Sequence, residues 1–219
     1  MHSKALLTAV ALVAFDVGVS LAMPALPQTN AVPTITRQID CIEWGTPESC
    51  DIFCFATLCA GLPATLTHMT DREMQNDNRK NSGANLGPFT DAGIAKYGTW
   101  RRGDDYTWGD EYPLASSHQG GNGVANSGQA IVQGARGDEQ RSQAQWAKRI
   151  WEGIPEAGAV TISVNNWDSA RSPYCDDWKA RDESNCKGSP YYGGNSPYFR
   201  LDAGNNGPNG AKTLSQLGI

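Results

Sequence analysis

Six cysteines behind an apolar N-terminal segment constrain this 219-residue chain more than any other feature. An even number of cysteines in an exported protein favours disulfide bonds formed in an oxidising compartment. A zinc site is the alternative, but the chain has no Cys-x-x-Cys pair and few histidines. We therefore expect three disulfides, most simply two among the first four cysteines and one between the last two. The six cysteines are Cys41, Cys50, Cys54, Cys59, Cys175 and Cys186.

The first 22 residues predict a cleaved export signal. Lys4 supplies the positive start, residues 5–22 are mostly apolar, and Ser20 and Ala22 are the small residues that precede a cleavage site before Met23. A membrane anchor is the alternative, but a span needs about 20 apolar residues, and Asp16 interrupts this run. We expect a secreted, extracellular protein with no membrane association after cleavage.

The remaining sequence predicts one domain. Residues 23–38 contain three prolines and several polar residues, which indicates an extended lead-in or a propeptide. Residues 39–219 show neither a repeat nor a linker. The 7 Trp, 7 Tyr and 5 Phe exclude a disordered chain. A net charge of -5 excludes a polycation, so any contact with nucleic acid has to come from a local basic patch.

Residue spacing predicts the main helices and strands. A short helix is expected between Cys41 and Cys59, because Cys50 and Cys54 are four residues apart and would share one face. Gly83 and Gly87 end any helix in the polar segment before them. Val160, Ile162 and Val164 alternate with polar residues and predict a strand, whereas no periodicity is evident after Asn165.

The middle of the chain predicts strand, turn, strand, turn and helix. The first strand covers residues 106–112 and is stopped by Pro113; the second covers residues 129–133. A turn at residues 134–137 leads into a helix at residues 138–152, for which Asp138 is a suitable N-cap. The whole pattern predicts an α+β fold, a small β-sheet packed with helices and stapled by disulfides.

Asp110, Glu111 and Glu139 are the candidate catalytic residues of this middle segment. Neighbouring side chains on a strand point to opposite faces, so Asp110 and Glu111 cannot both enter one site unless the strand bulges. Glu139 stands at the start of the predicted helix. A strand carboxylate that faces a carboxylate of a first helical turn can hold a hard divalent cation and a water.

Three blocks of this segment stand out: DEYPLAS at residues 110–116, Gly120-Gly121, and EQRSQA at residues 139–144. In their order and spacing they resemble the NucA/NucB family of secreted deoxyribonucleases. The resemblance covers residues 109–166 well. It implies a two-strand-plus-helix metal-nuclease-like core, in which an aspartate replaces the histidine base of related cores.

The resemblance also implies a role for each matched residue. Asp110 would be the general base, and Glu139, with Gln140 beside it, would hold Mg²⁺ or Mn²⁺. Glu111 and Gln143 would support or orient these groups, and Gln143 would contact the DNA. The family tends to have Asn at position 140 and Gly where Ala144 stands.

A further departure concerns a disulfide. The family often has Cys where Gly109 precedes the first block, so a bridge that anchors this strand is absent here. Ala84 is the candidate for the position of its lost partner.

Several further residues are candidates for contact with DNA. Arg102 and Arg141 are expected to bind phosphate, because a guanidinium matches phosphate geometry. His118 is a further candidate, since histidine is the usual base in related cores. Lys148 and Arg149 are better interpreted as a solvated helix face. Trp146 and Trp151 are expected in the core, and His68 at the surface or in a structural role.

The predicted function is that of a secreted, metal-dependent, sequence-nonspecific endodeoxyribonuclease that acts on DNA as a monomer. The alternative is a disulfide-stapled secreted binding protein with the same fold and lost activity. A glycosidase with paired carboxylates is more distant. A Ser-His-Asp hydrolase built on Ser116 or Ser117 and His118 lacks the G-x-S-x-G turn.

Overall fold

A computed structural model describes residues 34–121, 130–188, 190–201 and 214–217. These residues belong to one compact unit, Val32–Ile219. The predicted export signal and residues 23–33 of the predicted lead-in lie outside them. None of the helices seen in the described parts is long and apolar enough to cross a membrane.

The described residues form five α-helices and seven β-strands. The elements are β1 (Ile35–Asp40), α1 (Pro47–Leu58), β2 (Thr65–Thr67), α2 (Arg72–Ser82), α3 (Asp91–Tyr97), β3 (Trp108–Tyr112), β4 (Ile131–Ala135), α4 (Gly137–Trp151), β5 (Ala159–Asn165), α5 (Pro173–Ala180), β6 (Phe199–Leu201) and β7 (Leu214–Gln216).

Helix α1 is the centre of the fold, and it confirms the helix predicted between Cys41 and Cys59. Ten consecutive residues from its first turn onward are buried, so the helix has no solvent face. It packs against α4, α5, β3 and β4. As a result, the N-terminal turn of α1, which begins at Pro47, lies inside the protein rather than at its surface.

Two small sheets flank this helix, and with the helices they confirm the α+β class. One sheet has the order β1-β5-β2, with β1 parallel and β2 antiparallel to β5; the other has the order β3-β4-β6-β7 and is antiparallel. The predicted alternation in β5 is confirmed, since Val160, Ile162 and Val164 are buried. Residues 35–38, which we expected in an extended lead-in, instead pair with β5 as part of β1.

Strands β3 and β4 and helix α4 follow one another in the predicted order. β3 ends at Tyr112, directly before Pro113. The turn predicted at residues 134–137 is wrong, because Gly134 lies within β4 opposite Gly109. A Cβ on Gly134 would lie 2.8 Å from the carbonyl oxygen of Tyr106, so this glycine allows close packing rather than a turn.

Helix α4 begins slightly earlier than the sequence predicted. Arg136, not Asp138, is its N-cap, and no side chain caps the helix there. Asp138 lies within the first turn, where its Oδ1 accepts a hydrogen bond from the backbone N–H of Glu139. Trp146 and Trp151 are buried, which confirms their predicted place in the core.

All six cysteines form disulfides, which confirms the expected number, but the expected pairing is wrong. Only one bridge joins two of the first four cysteines, and none joins the last two. Because α1 packs against α5, Cys54 and Cys59 lie beside the two C-terminal cysteines and do not pair with each other. The bridges are Cys41–Cys50, Cys54–Cys175 and Cys59–Cys186.

Candidate active site

Three elements surround the predicted base: the first turn of α1, strand β3 and the first two turns of α4. Asp110, in the middle of β3, is buried. Its Oδ2 accepts a hydrogen bond from Ser49 Oγ of α1 at 2.8 Å. Its Oδ1 accepts from the backbone N–H of Glu111 and from the side-chain amide of Gln143 on α4. Asp110 is therefore held by all three elements.

Glu139, in the first turn of α4, is the second buried carboxylate of the site. Its Oε1 accepts hydrogen bonds from the backbone N–H of Glu48 and from Arg171 Nη2, each at 3.2 Å. Its Oε2 is buried and has no hydrogen-bond partner among the described residues. A buried carboxylate oxygen left without a partner is unfavourable unless a water or a cation binds it.

An ion-pair network that the sequence did not predict supports Glu139. Arg171 makes three hydrogen bonds of 2.8–3.0 Å to the carboxylate of Glu48, which is fully buried. The hydroxyl of Tyr106 donates a further bond to Glu48 at 2.8 Å. One guanidinium thus serves two buried carboxylates, which leaves the three side chains with one net negative charge. Arg171 makes three of its hydrogen bonds to Glu48 and one to Glu139, so it is engaged mainly by Glu48.

Glu111 points away from Asp110, as the alternation of a strand predicts. Its Oε2 accepts a hydrogen bond from Ser82 Oγ at the end of α2, whereas Asp110 contacts α1 and α4. The positive charge of Arg79, also on α2, acts on Glu111. The two neighbouring carboxylates therefore occupy separate environments.

A cleft of about 570 Å³ opens beside these residues. Glu111, Gln140 and Gln143 line it, whereas Asp110 and Glu139 do not. Since Gln143 both lines the cleft and donates to Asp110, its amide is the group that connects Asp110 with the cleft. The buried carboxylates lie behind a layer of glutamine side chains that a substrate would meet first.

Burial raises the pKa of both strand carboxyls towards neutrality. It raises the pKa of Asp110 to about 6, against the opposing effect of the hydrogen bonds from Ser49, Glu111 and Gln143. It raises the pKa of Glu111 to about 7, against the hydrogen bond from Ser82. A general base is most effective when its pKa lies near the working pH, so both groups are suited to that task.

The side chains present fit one hard divalent cation that keeps most of its water. The described part of the chain contains no group of three or more His, Cys, Asp or Glu residues that could hold a metal. Mg²⁺, however, is commonly bound through one or two carboxylates and keeps several waters. The unpartnered Oε2 of Glu139 provides such a ligand. In Gln140 the buried atom without a partner is Nε2, a donor, which suits a phosphate oxygen better than a cation.

The structure does not bring Arg102, His118 or Arg141 into the cleft. Arg102 donates to the buried carboxylate of Asp51 at 2.9 Å, so its charge already has a partner. His118 Nε2 lies 3.0 Å from a carboxylate oxygen of Glu156 and is absent from the cleft lining. Arg141 is exposed on α4 and also absent from the lining. The contacts with phosphate that we expected of Arg102, His118 and Arg141 therefore stay predictions, and this cleft does not support them.

The departures from the family pattern lie at the cleft itself. Ala144 lines the cleft, so its methyl group adds to the wall where the family tends to have glycine. Gly109 packs against Ala84, because a Cβ at position 109 would lie 2.8 Å from the carbonyl oxygen of Ala84. The two positions suggested for a lost disulfide are thus neighbours in space.

Sequence reasoning missed Glu48, Ser49 and Arg171, which hold the two buried carboxylates. Glu48 follows Pro47 in a first helical turn, where an acidic residue normally indicates interaction with the helix dipole. Arg171 lies in a segment without periodicity. The hydroxyl of Ser49 carries no signal in the sequence that distinguishes it from other serines.

Comparison with known proteins identifies a family for the part of the chain that contains β3, β4 and α4. The family model described as deoxyribonuclease NucA/NucB matches residues 53–163, which is just over half of the chain. Asp110, Glu111, Glu139 and Gln143 lie within the match, whereas Glu48 and Arg171 lie outside it. No curated protein matches the chain.

Proposed function

Because the chain belongs to the NucA/NucB deoxyribonuclease family, we propose that it is a secreted, metal-dependent endonuclease that hydrolyses DNA without sequence specificity. The observation that carries this proposal is the pair of buried carboxylates, Asp110 and Glu139, that each accept a hydrogen bond from the first turn of α1. One of them has a raised pKa, and the other has an oxygen without a partner.

In this proposal Asp110 accepts a proton from the water that attacks phosphorus. Burial places its pKa near 6, so most of the carboxylate is ionised at neutral pH while it remains basic enough to take a proton. The Gln143 amide occupies one of its acceptor positions. A water that reaches Asp110 from the cleft therefore shares or replaces that hydrogen bond, which makes Gln143 the residue that orients it.

Glu139 is proposed to hold the divalent cation. Its Oε1 is fixed by Glu48 and Arg171, so that Oε2 is the oxygen available to a ligand. Mg²⁺ or Mn²⁺ at this position would stabilise the negative charge that develops on the phosphate and on the leaving oxygen. Gln140 Nε2 is proposed to donate to a phosphate oxygen in the cleft.

The three disulfides support the proposal that the protein is exported. The expected cleavage before Met23 falls on residues outside the described part, so it stays a prediction.

Incubation of purified protein with plasmid DNA tests the proposed activity. We expect nicking and linearisation with Mg²⁺ or Mn²⁺ and none with EDTA. Asp110→Asn should lower the rate about 10²–10⁴-fold, the usual contribution of a general base. Glu139→Gln should also lower it, but part of the activity should return at high metal concentration. His118→Asn is the control and should cleave like the wild type.

The same assay tests the alternative, which is a binding protein with the same fold that has lost its activity. Asp110 and Glu139 are both engaged by protein groups and absent from the cleft lining, an arrangement that a binding protein with lost activity would share. Intact plasmid at every metal concentration would favour that alternative. If instead Asp110→Asn stays active while Glu111→Gln or His118→Asn loses activity, the base has been misassigned.

A further inference from the structure

A second groove continues from the cleft along α4. It has a volume of about 950 Å³ and runs between α2 and α4. The cleft and this groove share four lining residues, so they form one continuous depression. The shared residues are Arg79, Ser116, Ala144 and Ala147.

Three of the residues that line the groove are basic. Arg79 comes from α2, and Lys148 and Arg149 come from α4. None of the three forms a salt bridge within the described residues, unlike Arg101, which is paired with acidic side chains. Among the described residues that line the groove, Glu152 is the one acidic side chain. A chain with a net charge of -5 thus places three cations that form no salt bridge among the described residues beside its candidate active site.

The shape of the groove suits an extended phosphate chain. Small side chains, Ala144 and Ala147, form the α4 wall where the groove joins the cleft. From Gln140 to Lys148 the helix rises about 12 Å, which equals the length of about three to four nucleotides of a B-form strand at 3.4 Å each. The rings of His68 and Trp151, whose centroids are 4.6 Å apart in a stacked arrangement, also line the groove.

We propose that this groove, which we call the α2/α4 groove, binds the phosphate backbone of the DNA strand on one side of the scissile bond. Arg79 contacts the phosphate nearest the cleft, and Lys148 contacts one further along α4. Lys148 is thereby reassigned from a solvated helix face to a DNA contact. This inference rests on the proposed function, because the cleft is taken as the position of the scissile phosphate.

Salt-dependent DNA binding tests the proposal. The probes are a fluorescent single-stranded oligonucleotide and its duplex, measured by anisotropy with EDTA present so that no cleavage occurs. Arg79→Ala and Lys148→Ala should each weaken binding several-fold at low salt. Each should also reduce the slope of log affinity against log salt by about 0.7 on the single strand and about 0.9 on the duplex, the value for one lost phosphate contact.

Two variants are matched controls, because each removes one positive charge outside the groove. Arg72→Ala changes an exposed residue of α2 that does not line the groove, and Lys187→Ala changes an exposed residue beyond α5. Unchanged slopes in the groove variants, or equal losses in the controls, would overturn the proposal. Its failure can be told from failure of the proposed function: a wild type that cleaves plasmid but binds independently of Arg79 and Lys148 refutes the groove alone.

Discussion

Replacement of Arg171 by methionine is the perturbation that most directly tests how the site is built. Methionine keeps much of the aliphatic length of arginine but removes the charge that Glu48 and Glu139 share. Glu48 is 0% exposed and Glu139 is 2% exposed, so both carboxylates would lose their cationic partner inside the protein. We expect Arg171→Met to destabilise the fold and to lower DNA cleavage, because Glu139 would no longer be held.

The magnitude follows from the burial of the partners. Removal of one member of a buried ion pair typically costs about 3–5 kcal/mol. The lower end applies here, because the side chain of Arg171 is 37% exposed and water can enter the space it leaves. For a domain of this size, about 3 kcal/mol corresponds to a fall in Tm of about 6–12 °C.

Arg136→Met is the matched control for this measurement. Its side chain is also 37% exposed, but its partners, Asp105 and Asp138, are 64% and 55% exposed. Exposed ion pairs contribute only about 0–1 kcal/mol, so the free energy of unfolding of this variant should be close to that of the wild type. The free energies of unfolding can be measured in urea with the disulfides intact.

A double-mutant cycle of Arg171→Met with Glu48→Gln measures the interaction free energy between Arg171 and Glu48 separately from their contacts with other residues. The double variant should be less destabilised than the sum of the single variants by more than about 1 kcal/mol, since the two residues are in direct contact. If Arg171→Met and Arg136→Met cost the same within error, the network does not stabilise the site as we have argued.

Three further predictions concern pH, the disulfides and export. If Asp110 is the base, the logarithm of the rate should rise with slope one at low pH, bend near pH 6 and level off by about pH 7, because the ionised form is required. A bound cation would lower this pKa. A bend near pH 7, with a rise that continues to about pH 8, would point to Glu111, whose pKa is about 7. While Cys59–Cys186 is intact, the shortest path between Cys54 and Cys175 runs through that bridge along residues 54–59 and 175–186, so the chain-entropy model gives about 3 kcal/mol both for this bridge and for Cys41–Cys50. Cys54→Ala/Cys175→Ala and Cys41→Ala/Cys50→Ala should therefore lower Tm by similar amounts, whereas loss of both long-range bridges should lower it more. N-terminal sequencing of protein from culture medium should begin at or after Met23, and an intact N-terminus there would contradict the export signal.

The sequence predicted those elements whose signals are local. The alternation of Val160, Ile162 and Val164 was sufficient for β5, and the run that contains Trp146 and Ile150 was sufficient for most of α4. Pro113 correctly marked the end of β3. Each of these signals is contained within a short stretch of chain, because helix and strand periodicities depend only on neighbouring residues.

Elements that depend on distant partners escaped prediction. β1 owes its place to the parallel pairing of residues 35–40 with β5, far along the chain. β6 and β7 have three residues each, too few to show a period, and are held by pairing with β4 and with each other. α5 begins at Pro173 without an evident apolar stripe and is fixed by packing against α1.

The disulfide pairing shows the same division. The sequence by itself determined that six cysteines form three bridges, because an even count in a chain with a predicted export signal leaves few other uses for them. It did not determine which cysteines pair. That depends on which faces of α1 and α5 meet, and proximity along the chain was a poor guide, since Cys54 and Cys175 are 121 residues apart.

For the candidate site, the sequence by itself determined which residues we propose for the chemistry, and the tertiary structure decided their environment. Asp110 and Glu139 stand in blocks whose order and spacing can be recognised along the chain. Their charge states depend on burial and on partners such as Glu48 and Arg171, which are 123 residues apart in sequence and only 2.8 Å apart in the fold. Electrostatic interactions depend on distance in space and on exclusion of water, and neither quantity exists until the chain has folded.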